Sequence, residues 1–344
     1  MGHLFGTQLP IIQAPMAGVQ GVRLAVAVCN AGGLGSLPCA MLSPEGLYKG
    51  LKSLSESVKT AYNVNFFAHR PSGSDLELEK KWRGALLKYY TEFGIDQTAI
   101  SEGPSRLPFS VESADILSEF KPPVVSFHFG LPAPNLLAKI KRWGAVIVST
   151  ATTVEEAIWL EANGADAIVA QGLEAGGHRG HFLDMNMDKQ MGTMALVPQV
   201  VDAVKLPVIA AGGIADARGV RAAIMLGASA VQVGTAYLLC HETEISTAHR
   251  ESLRKSASGD TALTNLFSGR PARGIVNRIM RELGPMSDSA PAFPFASSAL
   301  APLREKAESL GLTDFTPLWA GQNMSGCLPV DAADLTRTLA ANSI

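Results

Sequence analysis

Eight short apolar segments recur along this 344-residue chain, and each is followed by a polar or glycine-containing turn and an amphipathic stretch. They cover residues 11–15, 33–36, 62–67, 124–128, 145–149, 167–170, 208–211 and 230–233. Strands that alternate with helices through short turns form a parallel sheet. Eight such units favour an α/β fold of the (β/α)₈ TIM-barrel type over an open doubly wound sheet.

Two of the helical patterns, at 154–163 and 218–226, carry recognisable ends. Thr153 and Asp216 stand where an N-cap side chain accepts a hydrogen bond from the first turn. A glycine follows each pattern, Gly164 and Gly227, and supplies the left-handed residue that ends a helix. Each of these segments is therefore predicted to be one compact helix between two strands.

Two longer segments interrupt this alternation. Residues 70–121 exceed one crossover helix and contain a charged, helical pattern at 75–92, which predicts an excursion from a barrel domain spanning 1–237. Residues 238–315 contain helical patterns, no convincing strand and a Pro/Ser/Ala-rich stretch at 285–302, and are predicted to form a small helical lid domain for the substrate. The tail, 316–344, is expected to return to the barrel with a last helix at 331–341.

The charge balance and the cysteines restrict the class of protein. There are 29 basic and 31 acidic residues, and aromatic residues make up 6%, so neither a basic stripe nor a set of stacking platforms for nucleic acid is expected. No apolar run approaches the roughly 20 residues that span a bilayer. Four cysteines without metal-ligand spacing predict reduced thiols and a cytoplasmic protein with no metal site.

Glycines follow the last two predicted strands. Gly212-Gly213 comes after the seventh strand, and Gly234-Thr235 after the eighth. In barrels the backbone N–H groups of these two loops commonly hold a phosphate, although a glycine pair can also simply form a tight turn. Two adjacent glycine turns favour the phosphate site. The chain lacks both the GxGxxG and the GxxxxGK[ST] pattern, which argues against a Rossmann dinucleotide site or a P-loop.

Other strand ends place polar and small residues on the same rim. His178 follows Gly176-Gly177 and is the first candidate for a catalytic group, because an imidazole can act as a base or bind an anion near neutral pH. His128, after the fourth strand, is a second candidate, for substrate binding, with a structural hydrogen bond as the alternative. Glu174, Asp184 and Asp188 are expected to face solvent. The neutral amides of Asn65 and Gln171, and the small residues near Pro15-Met16, Ala14 among them, can line a flat ring such as a flavin. Gly177 is a further candidate for cofactor binding.

Several segments together resemble the nitronate monooxygenase family, formerly called 2-nitropropane dioxygenase. They are Pro10–Gly18, Asn63–Phe67, Val125–Gly130, Gly172–Gly180, Ala210–Ile214, Gln232–Thr235, Gly269–Gly274 and Leu318–Gln322. The resemblance runs in order along most of the chain. It implies an FMN-dependent barrel with a helical substrate domain after the eighth strand.

The resemblance also implies roles for single residues. The FMN contacts carried over are Asn65, Gln171, Gly176, Gly213, Gln232, Gly234 and Thr235, with Met16 beside the ring. His178 becomes the active-site histidine. In the family's chemistry an alkyl nitronate, such as propionate 3-nitronate, gives an electron to the flavin, O₂ reacts, and a carbonyl compound and nitrite result. His178 either holds the anionic nitronate or takes a proton from a neutral nitroalkane.

One departure and three alternatives stand beside this expectation. Members of the family often carry Tyr-Pro where this chain has Phe293-Pro294, which leaves the identity of the substrate open. The alternatives are an FMN-dependent NAD(P)H:quinone reductase, an enoyl-thioester reductase, and a flavin- or phosphate-binding protein without activity. The expected partners are a small nitronate or nitroalkane and O₂, without nucleic acid or membrane. A homodimer is one assembly that the sequence allows.

Overall fold

A nearly closed barrel of eight parallel strands forms the centre of the molecule. The computed structural model describes residues 4–71, 73–96, 100, 106–256 and 260–341. The barrel strands are β1 (Ile11–Gln13), β2 (Ser36–Pro38), β3 (Asn63–Phe67), β4 (Val124–His128), β5 (Val146–Ala151), β6 (Ala167–Gln171), β8 (Val208–Ala211) and β9 (Ala230–Val233). Their order is β1-β9-β8-β6-β5-β4-β3-β2, and a bridge between Ile12 and Leu34 brings the two ends of the sheet together. The predicted TIM barrel is confirmed.

The second predicted strand differs in its position. The sequence pattern places it at 33–36, whereas β2 begins at Ser36, and Leu34 makes only the isolated bridge to β1. Gly35 explains the shift, because a Cβ at this residue would lie 2.0 Å from the carbonyl oxygen of Ala25. The chain therefore passes close under the first helix before it can pair with β3.

A ring of helices surrounds the strands. It consists of α1 (Val22–Asn30), α2 (Pro44–Ser57), α4 (Val111–Phe120), α5 (Pro134–Lys141), α6 (Val154–Ala162), α7 (Thr193–Ala203), α8 (Ala217–Met225) and α12 (Ala332–Leu339). Both predicted N-caps are confirmed: the side chain of Thr153 accepts from Glu156 N, and that of Asp216 from Arg218 N. No helix in the described ranges is long and apolar enough to cross a membrane.

The C-terminal helix α12 completes the ring. It packs against α1 and α8, and Leu335 and Leu339 are buried in the core that the barrel shares with these helices. Tyr237 and Thr336 are joined by a hydrogen bond of 2.8 Å between their hydroxyl groups. The last helix predicted at 331–341 is thus present, with Asp331 as its N-cap residue.

The long helix of the excursion after β3 packs against the segment predicted to form the lid, and not within the ring of helices. Helix α3 (Leu76–Phe93) packs against α11 (Ala296–Ser309), and the side chains of Trp82 and Tyr90 donate to the carbonyl oxygens of Ala296 and Ala299. Helix α4, also within the predicted excursion, instead packs between α2 and α5 in the ring. The lid further contains α9 (Thr247–Lys255) and α10 (Arg278–Leu283).

The segment predicted to be purely helical also contains strands, so the expectation of no strand at 238–315 is wrong. Strands β10 (Thr261–Thr264) and β11 (Ala272–Ile275) pair in antiparallel fashion, and β11 pairs with β7 (Gly177–His178). These strands are four, four and two residues long. Such lengths leave little periodicity in the sequence. The sheet attaches the turn after β6 to the lid.

Candidate active site

A cleft opens where the carboxyl ends of the barrel strands meet the lid, and its empty space, open mouth included, is about 1370 Å³. Parallel strands end on one face of a barrel, so residues far apart in sequence meet there. All the residues predicted from strand ends line this cleft: Ala14, Pro15, Met16, Asn65, His128, Gln171, Gly176, Gly177, His178, Gly212, Gly213, Gln232, Gly234 and Thr235. The structure therefore brings the whole predicted set together.

His178 is held in the cleft by backbone pairing and by one side-chain hydrogen bond. Its backbone pairs with that of Ala272 in the antiparallel strand β11. Its Nε2 lies 2.8 Å from Oγ of Ser268, whose hydroxyl lies 3.3 Å from the carbonyl oxygen of Arg270. Ser268 Oγ also accepts from Arg270 N over 3.4 Å. With its hydroxyl proton directed at the carbonyl oxygen of Arg270, which only accepts, Ser268 accepts from Nε2 of His178. This assignment places the proton of His178 on Nε2 and a lone pair on Nδ1.

The surroundings of His178 favour the neutral imidazole. Burial lowers its pKa well below 6.5, and the positive charges of Arg106 and Arg270 act in the same direction. Aromatic rings enclose the imidazole, with centroid distances of 5.5 Å to Trp319, 5.7 Å to Phe293, 6.0 Å to Phe129 and 6.2 Å to Phe67. A neutral histidine with a free Nδ1 lone pair can accept a proton from a bound molecule.

His128 has protein partners at both ring nitrogens. Its Nε2 lies 3.1 Å from the carbonyl oxygen of His178, and its Nδ1 lies 3.1 Å from Oγ1 of Thr150. Because the carbonyl only accepts, Nε2 carries the proton and Nδ1 accepts from Thr150. Burial lowers the pKa of His128 to about 4. In this arrangement His128 supports the backbone of His178 and offers a ligand its ring face.

The residue after His128 has an unusual backbone conformation. Phe129 has φ of +72°, and Gly130 follows with φ of +94°. A positive φ costs a bulky side chain on the order of 1–3 kcal/mol and persists where the surroundings impose it. Here the guanidinium carbon of Arg270 lies 4.1 Å from the centroid of the Phe129 ring. The strained turn thus places an aromatic ring in the wall beside His178.

Gln171 and Arg179 hold the turn between β6 and β7. Gln171 donates from Nε2 to the carbonyl oxygen of His178 over 3.0 Å and accepts from Gly180 N over 2.8 Å. Arg179 is fully buried and donates to the carbonyl oxygens of Gln171 and Gly172. The amide of Gln171 thus shapes the turn as well as lining the cleft.

The two predicted glycine turns lie side by side, because β8 and β9 are neighbours in the barrel. Gly212 and Gly213 have φ of +117° and +71°, a conformation that few residues other than glycine adopt. A Cβ on Gly212 would lie 2.8 Å from Oγ1 of Thr193, and one on Gly234 would lie 3.3 Å from the Cβ of Ala14. Glycine therefore allows both turns to pack closely against Thr193 and Ala14.

The start of helix α8 is not available as an anion site. The carboxylate of Asp216 accepts from the N–H groups of Arg218 and Gly219 over 2.9 and 3.2 Å. An anion near Gly212-Gly213 would therefore meet the turn itself rather than the helix end. Two residues of the C-terminal tail hold the glycine turns in place. Gly321 N donates to Oγ1 of Thr235, and Asn323 donates to the carbonyl oxygen of Gly213.

Charged groups are unevenly distributed around the cleft. Among the described residues that line it, none is an aspartate or glutamate, and Arg106 is the only lysine or arginine. Of the three carboxylates expected to face solvent, Glu174 is half-buried and also accepts hydrogen bonds from the backbone and hydroxyl of Thr193. The cleft is therefore suited to anionic and neutral molecules.

Three contributors to the site were not found from the sequence, because Ser268, Arg106 and Trp319 each lie far along the chain from His178. His69, two residues after β3, does not line the cleft but lies beside its aromatic residues. His69 is buried, its ring centroid lies 4.9 Å from that of Phe293, and burial lowers its pKa to about 4. For Ser268 and Trp319 the available signal was their position beside or within segments that resemble the family.

Comparison with known proteins shows the family to which the chain is similar. The family model described as nitronate monooxygenase matches residues 1–341. The nitronate monooxygenase of Pseudomonas aeruginosa is 42% identical, with 98% of this chain and 97% of that protein covered. The nitronate monooxygenase of Paraburkholderia phytofirmans is 40% identical, with 98% and 92% covered.

Solved structures extend the likeness to three dimensions. Nitroalkane oxidase from Streptomyces ansochromogenes superposes with a TM-score of 0.89 at 38% identity, over 98% of this chain and 96% of that one. FabK from Thermotoga maritima follows with a TM-score of 0.74 at 26% identity, over 98% and 94%. The resemblance seen in the sequence is confirmed: the chain belongs to the nitronate monooxygenase family, whose members are flavin-dependent oxidoreductases.

Proposed function

We propose that this protein oxidises alkyl nitronates with O₂ to carbonyl compounds and nitrite, with FMN bound in the cleft. The observation that carries the proposal is the position of His178, a neutral imidazole between aromatic rings, in a cleft without described carboxylates. Nitronates are anions, and such a cleft admits them without charge repulsion. The nitronate monooxygenase and nitroalkane oxidase names of the similar proteins support a nitro-compound substrate.

The residues around the glycine turns fit FMN. Gly212-Gly213 and Gly234-Thr235 would hold the phosphate through backbone N–H groups. Ala14, Pro15 and Met16 would flank the ring system, and the amides of Asn65, Gln171 and Gln232 would bind its heteroatoms. A Cβ at Gly177 would meet no protein atom within 4 Å, so this position leaves space for a ligand in the cleft. Bound FMN would supply the electron acceptor that the protein itself lacks.

His178 would act on the substrate in one of two ways that depend on what enters. A neutral nitroalkane has an acidic C–H beside the nitro group, and the Nδ1 lone pair of His178 would take this proton. A nitronate is already an anion, so His178 would hold it by a hydrogen bond, and the added negative charge would raise the pKa of the imidazole. The lowered pKa of free His178 favours the first role before substrate binds.

The aromatic rings around His178 would exclude water from the reacting atoms. Phe67, Phe129 and Phe293 form one buried cluster beside the imidazole. Phe293 stands where related sequences often have tyrosine, so no phenol hydroxyl is present at this position to bind the substrate. Orientation of the nitro group would then depend mainly on His178 and on the ring system of the flavin.

The quinone reductase and the enoyl-thioester reductase are the second candidates. The structural likeness to FabK is the reason to compare them with nitronate oxidation in one experiment. The purified holoenzyme should be mixed anaerobically with propionate 3-nitronate, and in parallel with NADH or NADPH. Loss of flavin absorbance with the nitronate alone, and nitrite formation once O₂ is admitted, are the expected results. Rapid bleaching by a pyridine nucleotide without reaction of the nitronate would establish a reductase instead.

We further propose the division into a barrel at 1–237, a lid at 238–315 and a return at 316–344, with α3 as part of the lid. The four cysteines are free thiols, which supports a reducing compartment such as the cytoplasm. The homodimer and the contact of His128 with substrate remain predictions. Light scattering on the purified protein, and the KM of a His128→Asn variant, would test them.

A further inference from the structure

Arg106 lines the cleft and is half-buried, and part of its guanidinium has no protein acceptor. Its Nη1 atom is buried and has no hydrogen-bond partner in the described structure. Its guanidinium carbon lies 5.7 Å from the centroid of the Phe293 ring. No described carboxylate forms an ion pair with it, and burial lowers the pKa of its guanidinium. A buried charge is costly to leave unpaired, so this group is suited to an anion that arrives with a ligand.

The barrel places Arg106 away from the turns proposed for the flavin phosphate. Arg106 lies on the chain that follows β3, and this chain is joined to β3 by the 2.8 Å hydrogen bond from Phe109 N to the carbonyl oxygen of Phe67. In the strand order of the barrel, β3 and β8 are separated by three strands in either direction. Gly212-Gly213 follow β8, so Arg106 and this glycine turn lie on opposite sides of the barrel. A phosphate at the turn would leave Arg106 without a partner.

Arg106 is instead close to His178. Both residues lie beside Phe293: the centroid of its ring is 5.7 Å from that of the His178 ring and 5.7 Å from the guanidinium carbon of Arg106. Among the charged groups that lower the pKa of His178, Arg106 has the largest effect. Both residues line the same cleft, so one small molecule can contact His178 at its reacting end and Arg106 at its other end.

We propose that Arg106 is a specificity-determining residue that binds a carboxylate of the substrate, so that the enzyme prefers nitronates with a carboxylate to simple alkyl nitronates. The inference rests on the proposed function. A guanidinium binds a carboxylate through two parallel hydrogen bonds, which adds orientation to affinity. The carboxylate lies at the β3 side of the cleft, and the nitronate group lies beside His178.

The test compares two nitronates with the same three-carbon chain, propionate 3-nitronate and propyl 1-nitronate. For Arg106→Met, kcat/KM for propionate 3-nitronate is expected to fall by about 10- to 100-fold, the effect of one hydrogen-bonded charge, with less than about a threefold change for propyl 1-nitronate. Arg106→Lys should recover part of the loss. Arg337→Met, which removes an exposed arginine on α12, serves as the control and should change neither value.

A binding measurement separates this inference from the proposed function. Succinate and butyrate resemble the two nitronates with a carboxylate in place of the nitronate group. Titration of the holoenzyme, followed by the flavin absorbance, should show tighter binding of succinate than of butyrate, and Arg106→Met should remove the difference. If the wild type oxidises neither nitronate, the proposed function fails, and this titration alone decides the role of Arg106.

Three results would overturn the inference. An equal fall in kcat/KM for both nitronates in Arg106→Met would give Arg106 a general structural role. Equal binding of succinate and butyrate to the wild type would contradict a carboxylate site. A loss confined to turnover with NADH would mean that Arg106 binds a nucleotide phosphate. Retention of flavin absorbance and an unchanged thermal midpoint in Arg106→Lys would show that any loss does not come from misfolding.

Discussion

Nε2 of His178 and Oγ of Ser268 lie 2.8 Å apart and join two parts of the chain that are 90 residues distant in sequence. The bond connects the two-residue strand β7 with the loop before β11, and when Ser268 accepts it the proton of His178 lies on Nε2. The segment proposed as the lid therefore contributes a residue to the candidate active site, although His178 itself follows a barrel strand.

Ser268→Ala is expected to lower kcat while FMN binding and KM change little. The variant loses the acceptor that holds Nε2–H, so His178 spends less time with Nδ1 directed at the substrate. The loss of one neutral hydrogen bond corresponds to about a 3- to 10-fold effect. Ser268→Thr keeps the hydroxyl and should restore most of the rate. An unchanged kcat and pH profile in Ser268→Ala would show that the bond does not orient the imidazole.

His178→Ala is expected to retain FMN and lose turnover. A positioned general base contributes about 10²- to 10⁴-fold, so the loss with a neutral nitroalkane should lie in this range. The loss with a preformed nitronate should be smaller, because no proton has to be removed. Steady-state rates with both forms, together with the flavin absorbance of the purified variant, measure this. Equal losses for the two forms would contradict the role as a base.

Gly234→Ala is expected to weaken FMN binding by about tenfold, since the added Cβ narrows the backbone approach of a phosphate, a change worth about 1.4 kcal/mol. This Cβ would lie 3.3 Å from that of Ala14, so only a small adjustment of the protein is needed. Fluorescence titration of apoprotein with FMN gives the dissociation constant. Gly84→Ala in α3 is the matched control, because its Cβ would meet no atom within 4 Å and should leave FMN affinity unchanged. A Gly234→Ala protein with wild-type affinity would place the phosphate elsewhere.

Stability is expected to fall as the pH is lowered from about 7 to 5. Burial lowers the pKa of three histidines, His69, His128 and His249, to about 4 and the pKa of His181 to about 3. It also lowers the pKa of His178. Below about pH 6.5 the unfolded chain binds protons that the folded chain does not, so acid favours unfolding by up to about 1.4 kcal/mol per histidine per pH unit.

The urea midpoint at pH 7 and at pH 5, at one flavin concentration, measures this effect. His249 lies outside the cleft lining, and His249→Asn removes one of the titrating groups, so the variant should lose less stability between the two pH values. A midpoint that is equal or higher at pH 5 would show that these histidines are protonated in the folded protein.

The barrel and most of its rim are predictable from the sequence because their causes are local. A buried parallel strand is a short apolar run, and its end is marked by a glycine or a polar residue within a few positions. Thr153 and Asp216 cap their helices through bonds to residues two or three positions away. His178, Asn65 and the two glycine turns could therefore be assigned to one face as soon as a barrel was inferred.

Other features of the site were decided only by the tertiary structure, because they depend on contacts between distant segments. The pairing of β11 with β7, the bond from Ser268 to His178 and the position of Arg106 beside Phe293 all join residues that no periodicity connects. Helix α3 belongs to the lid because Trp82 and Tyr90 meet α11, more than 200 residues later. The sequence determined the strands, the helix ends and the chemistry available at the rim, since each depends on neighbouring residues. The protonation of His178 and the unpaired charge of Arg106 were decided by burial, which exists only after the chain has folded.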